Sequence, residues 1–268
     1  MPGTAEEHPA RLTDAQVAEV LALAREADSV ELKMTVPDSH RRAAAVALGV
    51  DPLDAQIRQV YFFDTPDLAL NAAGVVVRAR RVQGRGDDSV VKLRPVVPAT
   101  VQKLRSSDNL VVEVDAMPGG FVCSASMKGT LGTKDVQDVA AGRKGIRSLY
   151  SKEQRQFYRA HAPEGVELDD LSILGPITVF KLKLHPPELR MRLIAELWFY
   201  PDGSRIVELS AKSLPAEAFQ AAAELRAFLA TKGLDLSGEQ QTKTKTALEF
   251  FSSELAEEQR AQPAHGPA

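Results

Sequence analysis

Short segments in which apolar and charged residues alternate recur along this chain, and they constrain its fold more than any other feature. In Ser29–Val36, written SVELKMTV, the apolar Val30 and Leu32 alternate with Glu31 and Lys33. Because successive side chains of a strand point to opposite faces, this period of two predicts a β-strand with one apolar and one charged face. On a single strand, such a charged face ordinarily meets water.

Eight segments follow this strand pattern, and in most of them the charged residues share one face. The segments are SVELKMTV, QIRQVYFF, GVVVRARRV, DSVVKLRPV, NLVVEVDAM, ITVFKLKLH, MRLIAELWFY and SRIVELSAKS. The cations on the charged faces are Lys33, Arg78, Arg80, Lys92, Arg94, Lys181, Lys183, Arg192 and Lys212, and the acids are Glu31, Glu113, Asp115, Glu196 and Glu208. Solvated faces normally mix in serine, threonine and glutamine, so this concentration of charge favours an enclosed site.

A closed barrel would place the charged faces inside and the apolar faces under helices packed outside. Clustered cations repel one another strongly in a lumen of low dielectric constant, unless an anion fills it. Lysine and arginine are donors suited to phosphate oxygens, and a few carboxylates can hold a hard divalent cation. The pattern therefore predicts an α+β protein with an interior site for a polyphosphate group.

Helical patterns flank and interrupt the strands. We predict one domain over 12–253, with a helical insertion at about 134–162 and disordered tails at 1–11 and 254–268. Thr13 is expected to be the N-cap of the first helix, and Ser151 an N-cap within the insertion. The segment SMKGTLGTK, residues 126–134, lacks the spacing of a phosphate loop and is predicted to be a loop.

Composition excludes several classes of function. With 33 Lys+Arg against 36 Asp+Glu and a net charge of −3, the chain is not a polycation that seeks nucleic acid or a membrane. Aromatic residues make up 6% of the chain and lie mostly off the charged faces, which disfavours a nucleic-acid-binding sheet. The single cysteine, Cys123, and the lack of a long apolar run predict a cytoplasmic protein with no membrane span.

The ordered series SVELK, FDTPDLAL, AAGVVVRARR, VVKLRP, VVEVD, FKLK, AELWFYPDGSRIVELS and TKTK resembles the CYTH superfamily, the triphosphate tunnel metalloenzymes. That superfamily includes inorganic triphosphatases, thiamine triphosphatase and class IV adenylate cyclases. The resemblance covers roughly residues 28–250. It implies an eight-stranded antiparallel closed β-barrel that binds a small-molecule triphosphate or polyphosphate in a cationic tunnel.

The resemblance also implies roles for particular residues. Magnesium or manganese would be held by Glu31 and Glu208, helped by Glu113 or Glu196, and Lys33 would pair with Glu31 or a phosphate. The expected phosphate-binding residues are Arg78, Arg80, Lys92, Arg94, Lys181, Lys183, Arg192, Lys212 and Lys243. Glu31, Lys33 and Glu208 would serve catalysis, so the first expected function is metal-dependent hydrolysis of an inorganic or organic triphosphate.

Two departures from the family pattern keep alternatives open. The family opens with Glu-x-Glu-x-Lys where this chain has Ser29, and it ends with Glu-x-Glu where this chain has Ser210. Serine is neutral and a weak ligand for magnesium. The first alternative is therefore a non-catalytic module that binds polyphosphate or a nucleotide. The second is a class IV-type adenylate cyclase, in which a ribose hydroxyl replaces water.

Overall fold

Nine β-strands join edge to edge into a closed barrel in the computed structural model, which describes residues 14–104, 107–234 and 243–261. The strands are β1 Ser29–Val36, β2 Gln56–Asp64, β3 Val75–Val82, β4 Asp88–Leu93, β5 Leu110–Met117, β6 Gly120–Thr130, β7 Ser172–Leu184, β8 Leu193–Phe199 and β9 Arg205–Ser213. Around the barrel they follow the order β1-β5-β6-β4-β3-β2-β7-β8-β9, and β9 pairs with β1.

The predicted count of eight strands is wrong because the sequence pattern missed β6. This strand includes residues 126–130, which were predicted to be part of a loop. It is rich in glycine, serine and alanine, which have little of the β-branched and aromatic character that marks a strand. Its alternation is nevertheless regular, with Cys123 and Ala125 in the main core and Ser124 and Ser126 on the opposite face.

The barrel is mixed, which corrects the prediction of a wholly antiparallel sheet. Strands β1 and β5 run parallel, with Ser29 opposite Glu113 and Glu31 opposite Asp115, and the other eight pairings are antiparallel. An odd number of strands cannot alternate in direction all the way around a closed ring. The ninth strand therefore requires at least one parallel pair.

Seven α-helices accompany the barrel: α1 Asp14–Arg25, α2 Arg41–Ala47, α3 Ala69–Ala72, α4 Asp135–Ala140, α5 Lys152–Arg159, α6 Ala218–Thr231 and α7 Lys243–Ala261, within the described part of the chain. The predicted helical insertion contains α4 and α5, and Ser151 caps α5 in a capping box with Gln154. Helix α7 continues to Ala261, into the segment predicted to be a tail. The N-terminal tail, Thr13 and residues 262–268 lie outside the described residues.

The main hydrophobic core lies between the outer face of the barrel and the helices. Strand residues such as Val77 and Val91 are buried in this cluster, which also includes Val136 of α4 and Leu225 of α6. None of the helices formed by the described residues is both long enough and apolar enough to cross a membrane.

A second hydrophobic cluster lies on the opposite, luminal face, at one end of the barrel. Phe62 of β2 and Trp198 of β8 are buried there with Leu248 and Phe251 of α7. Phe62 is paired with Arg78 across the sheet, and Trp198 follows Glu196 by two residues, so both belong to the face that carries the charges. Helix α7 therefore covers one end of the lumen and gives the barrel an apolar floor.

Candidate functional site

The luminal face carries a dense set of charged side chains, as strand parity predicts. Cross-strand pairs confirm that they share this face: Lys181 is paired with Glu196, and Glu196 with Glu208. Basic side chains on this face outnumber acidic ones. The basic residues are Lys33, Arg58, Arg78, Arg80, Lys92, Arg94, Lys181, Lys212 and Lys243, and the acidic residues are Glu31, Asp88, Glu113, Asp115, Glu196 and Glu208.

Asp115 is the centre of one network. Its carboxylate is fully buried and lies 2.7 Å from Lys33 Nζ, 3.1 Å from Arg94 Nη1 and 3.7 Å from Lys92 Nζ. Burial alone would raise the pKa of Asp115, but Lys33, Lys92 and Arg94 outweigh it and hold the pKa at about 2. Lys33 also lies 3.1 Å from Glu31, one of the two partners expected for it.

A second network joins β7, β8, β9 and α7. Glu196 lies 3.1 Å from Lys181 Nζ and 2.5 Å from Lys243 Nζ, and Lys243 Nζ lies 2.7 Å from Glu208. Trp198 Nε1 donates a hydrogen bond of 3.2 Å to Glu196. Burial would raise the pKa of Glu196, but the two lysines outweigh it and hold the pKa well below its usual range.

Two further acids are paired nearer the other end of the barrel, which α7 leaves uncovered. Glu113 accepts a hydrogen bond of 3.3 Å from the Ser29 hydroxyl and forms an ion pair with Lys212. Asp88 binds Arg80 through two parallel contacts of 2.7 and 2.9 Å, the bidentate geometry that arginine prefers.

Arg78 and Arg58 are the luminal cations that the acids leave uncompensated. Among the described residues, no carboxylate lies within ion-pair distance of Arg78, and its Nε is buried without a hydrogen-bond partner. Arg58 is buried and donates to the neutral Gln56 side chain. Burial, reinforced by the charge of Arg80, lowers the pKa of each guanidinium to about 10. This part of the lumen is short of negative charge.

The lowered pKa values of two luminal lysines also indicate that negative charge is lacking around them. Burial lowers the pKa of Lys92 to about 8. The charge of Asp115 raises this pKa, but the neighbouring Lys33 and Arg94 offset part of that effect. The pKa of Lys181 is also lowered, chiefly by burial, in spite of its contact with Glu196. An anion that entered the lumen would relieve the cost of keeping these groups charged.

Two of the predicted phosphate-binding residues do not join this set. Arg192 precedes β8, is exposed, and its Nε donates to His185 Nε2 at 3.0 Å. Lys183 lies near the end of β7 and is exposed. Both are near the open end of the barrel rather than among the buried cations.

The four predicted metal ligands do not fit a divalent cation as they are arranged. Glu196 and Glu208 share the Lys243 ammonium, Glu31 contacts Lys33, and Glu113 contacts Lys212. No three histidine, cysteine, aspartate or glutamate residues of the described chain are grouped in a way that could hold a metal. Magnesium generally needs several oxygen ligands in near-octahedral geometry, and here each of the four carboxylates already forms an ion pair with a lysine.

Sequence reasoning missed Arg58 and Asp88 and did not assign Asp115 its central position. The signal for Arg58 was present in QIRQVYFFD, because residues of both parities there are apolar, which indicates a strand buried on both faces. Trp198 has the same strand parity as Glu196, and the structure places it in the apolar floor.

Comparison with known proteins supports this description of the fold. No family model and no curated protein matches the sequence. Among solved structures, a proposed adenylate cyclase from Bacillus halodurans is similar with a TM-score of 0.57 and 14% identity, over 81% of this chain and 96% of that one. HpAC1 from Hippeastrum, a proposed adenylyl cyclase with a dominant triphosphatase activity, is similar with a TM-score of 0.61 and 17% identity, over 82% and 95%. At these identities the comparison shows a shared fold: this chain and the two solved structures have the same overall architecture, here a closed β-barrel with helices packed outside it.

Proposed function

We propose that this protein binds a triphosphate group, inorganic or carried by an organic molecule, inside the lumen of its barrel. The observation that carries the proposal is the guanidinium of Arg78, which faces the lumen together with Arg58, has a buried Nε without a hydrogen-bond partner, and has no ion-pair partner among the described residues. Five N–H donors on a planar group suit phosphate oxygens, and burial makes each contact stronger than it would be in water.

The shape of the lumen supports a small ligand that enters by one end. Helix α7 and the apolar floor around Phe62 and Trp198 cover the other end. Phosphoryl groups would therefore enter past Lys212 and reach Arg78, Lys92 and Lys181. An organic substituent on the triphosphate would remain at the open end.

Replacement of Arg78 by methionine tests this proposal. The variant loses a charge-assisted contact worth roughly 1.5–3 kcal/mol, so the Kd for tripolyphosphate should rise about 10- to 100-fold in isothermal titration calorimetry. Arg190→Met is the matched control, since Arg190 is exposed on the surface. Equal affinities in the two variants, with unchanged circular dichroism, would show that the lumen is not the binding site.

The lowered pKa of Lys92 predicts a pH dependence of the same affinity. Because the pKa is near 8 in the free protein, the ammonium loses its charge as the pH rises above 8. Affinity should then fall by up to about tenfold per pH unit in the wild type. Lys92→Arg keeps its charge, and comparison with it cancels the titration of the ligand's own phosphates. Parallel pH profiles of the two proteins would contradict the assignment.

Metal-dependent hydrolysis of the triphosphate is the second candidate function. It is favoured by the fold shared with HpAC1, which is described as having a dominant triphosphatase activity. It would use Mg²⁺ or Mn²⁺ at Glu31 and Glu208. The arrangement of the carboxylates and the serines at positions 29 and 210 favour binding without turnover in the wild-type chain.

The variant Ser29→Glu tests the hydrolytic alternative. The new carboxylate would lie beside Glu113, whose Oε1 is 3.3 Å from the present hydroxyl. Phosphate release from tripolyphosphate, ATP and thiamine triphosphate with Mg²⁺ or Mn²⁺ should be negligible in the wild type and should rise in Ser29→Glu. Ser253→Glu, on the exposed side of α7, is the control. Rapid metal-dependent release by the wild type would make hydrolysis the function, and cyclic AMP formed from ATP would indicate cyclisation.

A further inference from the structure

Glu196 and Glu208 hold a positive charge that belongs to the protein itself. The two residues are directly opposite each other on β8 and β9, and both are buried. Lys243 Nζ lies between their carboxylates, 2.5 Å from Glu196 Oε2 and 2.7 Å from Glu208 Oε1. A single ammonium therefore bridges two acids that the sequence had assigned to a metal.

The position of Lys243 is fixed by contacts on several sides. It is the first residue of α7, and its carbonyl oxygen accepts a hydrogen bond of 3.0 Å from the Tyr200 hydroxyl. The helix is anchored by Ala247 and Leu248, which are buried in the apolar floor of the barrel. The ammonium also lies 5.0 Å from the centre of the Trp198 ring, within the range of a cation–π interaction.

Both carboxylate oxygens of Glu196 and one carboxylate oxygen of Glu208 already accept hydrogen bonds. Glu196 Oε1 accepts from Lys181 at 3.1 Å, and Glu196 Oε2 accepts from Lys243 and from Trp198 Nε1. The next luminal residue after Glu208 on β9 is Ser210, which brings no charge. A divalent cation would have to displace Lys243 and leave its ammonium buried without an acid, which is costly.

We propose that Lys243 takes the place of a divalent cation between Glu196 and Glu208, so that the lumen binds a triphosphate without metal at these carboxylates. The proposal rests on the proposed function for its ligand. An ammonium has three N–H donors, and two of them serve the carboxylates. The third can donate to a phosphate oxygen, so Lys243 links acids to phosphate as a bridging cation would.

Binding of Mn²⁺ alone tests the inference without any triphosphate. Electron paramagnetic resonance should detect no luminal Mn²⁺ site in the wild type, whereas Lys243→Met removes the ammonium between the two carboxylates and should bind Mn²⁺ at least about tenfold more tightly. Lys245→Met, on the exposed side of α7, is the matched control and should behave as the wild type does. A stoichiometric wild-type site that disappears in Glu208→Gln would overturn the inference, whether or not Lys243→Met folds.

Calorimetry with tripolyphosphate separates this inference from the proposed function. Wild-type affinity should be the same in EDTA and in buffer containing Mn²⁺ once binding of Mn²⁺ by free tripolyphosphate is subtracted. Binding that appears only with Mn²⁺ would overturn the metal-free inference and leave the proposed function standing. No binding under either condition would refute the proposed function and, with it, the role of Lys243 toward phosphate.

Discussion

Closure of the barrel is the constraint on which the other features of this protein depend. A strand with charges on one face is ordinary when that face meets water, but a closed sheet places every such face in one enclosed lumen. The buried charges must then be compensated, because an isolated ion pays a large desolvation penalty. Asp115 and Glu196 compensate most of the lysines. Arg78 remains without an acid partner among the described residues, and this imbalance is the basis of the proposed binding of a triphosphate.

Helix α7 makes the two ends of the barrel different. Its apolar residues meet Phe62 and Trp198 on the luminal face, and its first residue, Lys243, adds a cation to the charged layer above this floor. The same helix thus covers one end of the lumen and supplies a cation that pairs with Glu196 and Glu208. Packing at the floor fixes the position of the ammonium, since burial of Leu248 and Phe251 holds the helix in place.

The residues of the luminal face could be predicted from the sequence. Side chains alternate between the two faces of a strand, so each residue can be assigned to a face before the order of the strands is known. It assigned Lys33, Arg78 and Lys181 to one face, and the cross-strand pairs confirm this. The number and directions of the strands were predicted wrongly because β6 was missed. Its small residues are not typical of a strand. Ion-pair partners such as Lys92 with Asp115 join strands that are not neighbours, so they could not be predicted before the order of strands was known.

The most direct test of the central claim is a crystal structure of the protein with tripolyphosphate, prepared in EDTA. The account predicts phosphate oxygens within about 2.7–2.9 Å of the guanidinium of Arg78 and the ammonium of Lys181, inside the barrel above the floor formed with α7. Phosphate bound at the exposed Lys183 and Arg192, or on the outer wall, with Arg78 uncontacted, would contradict it.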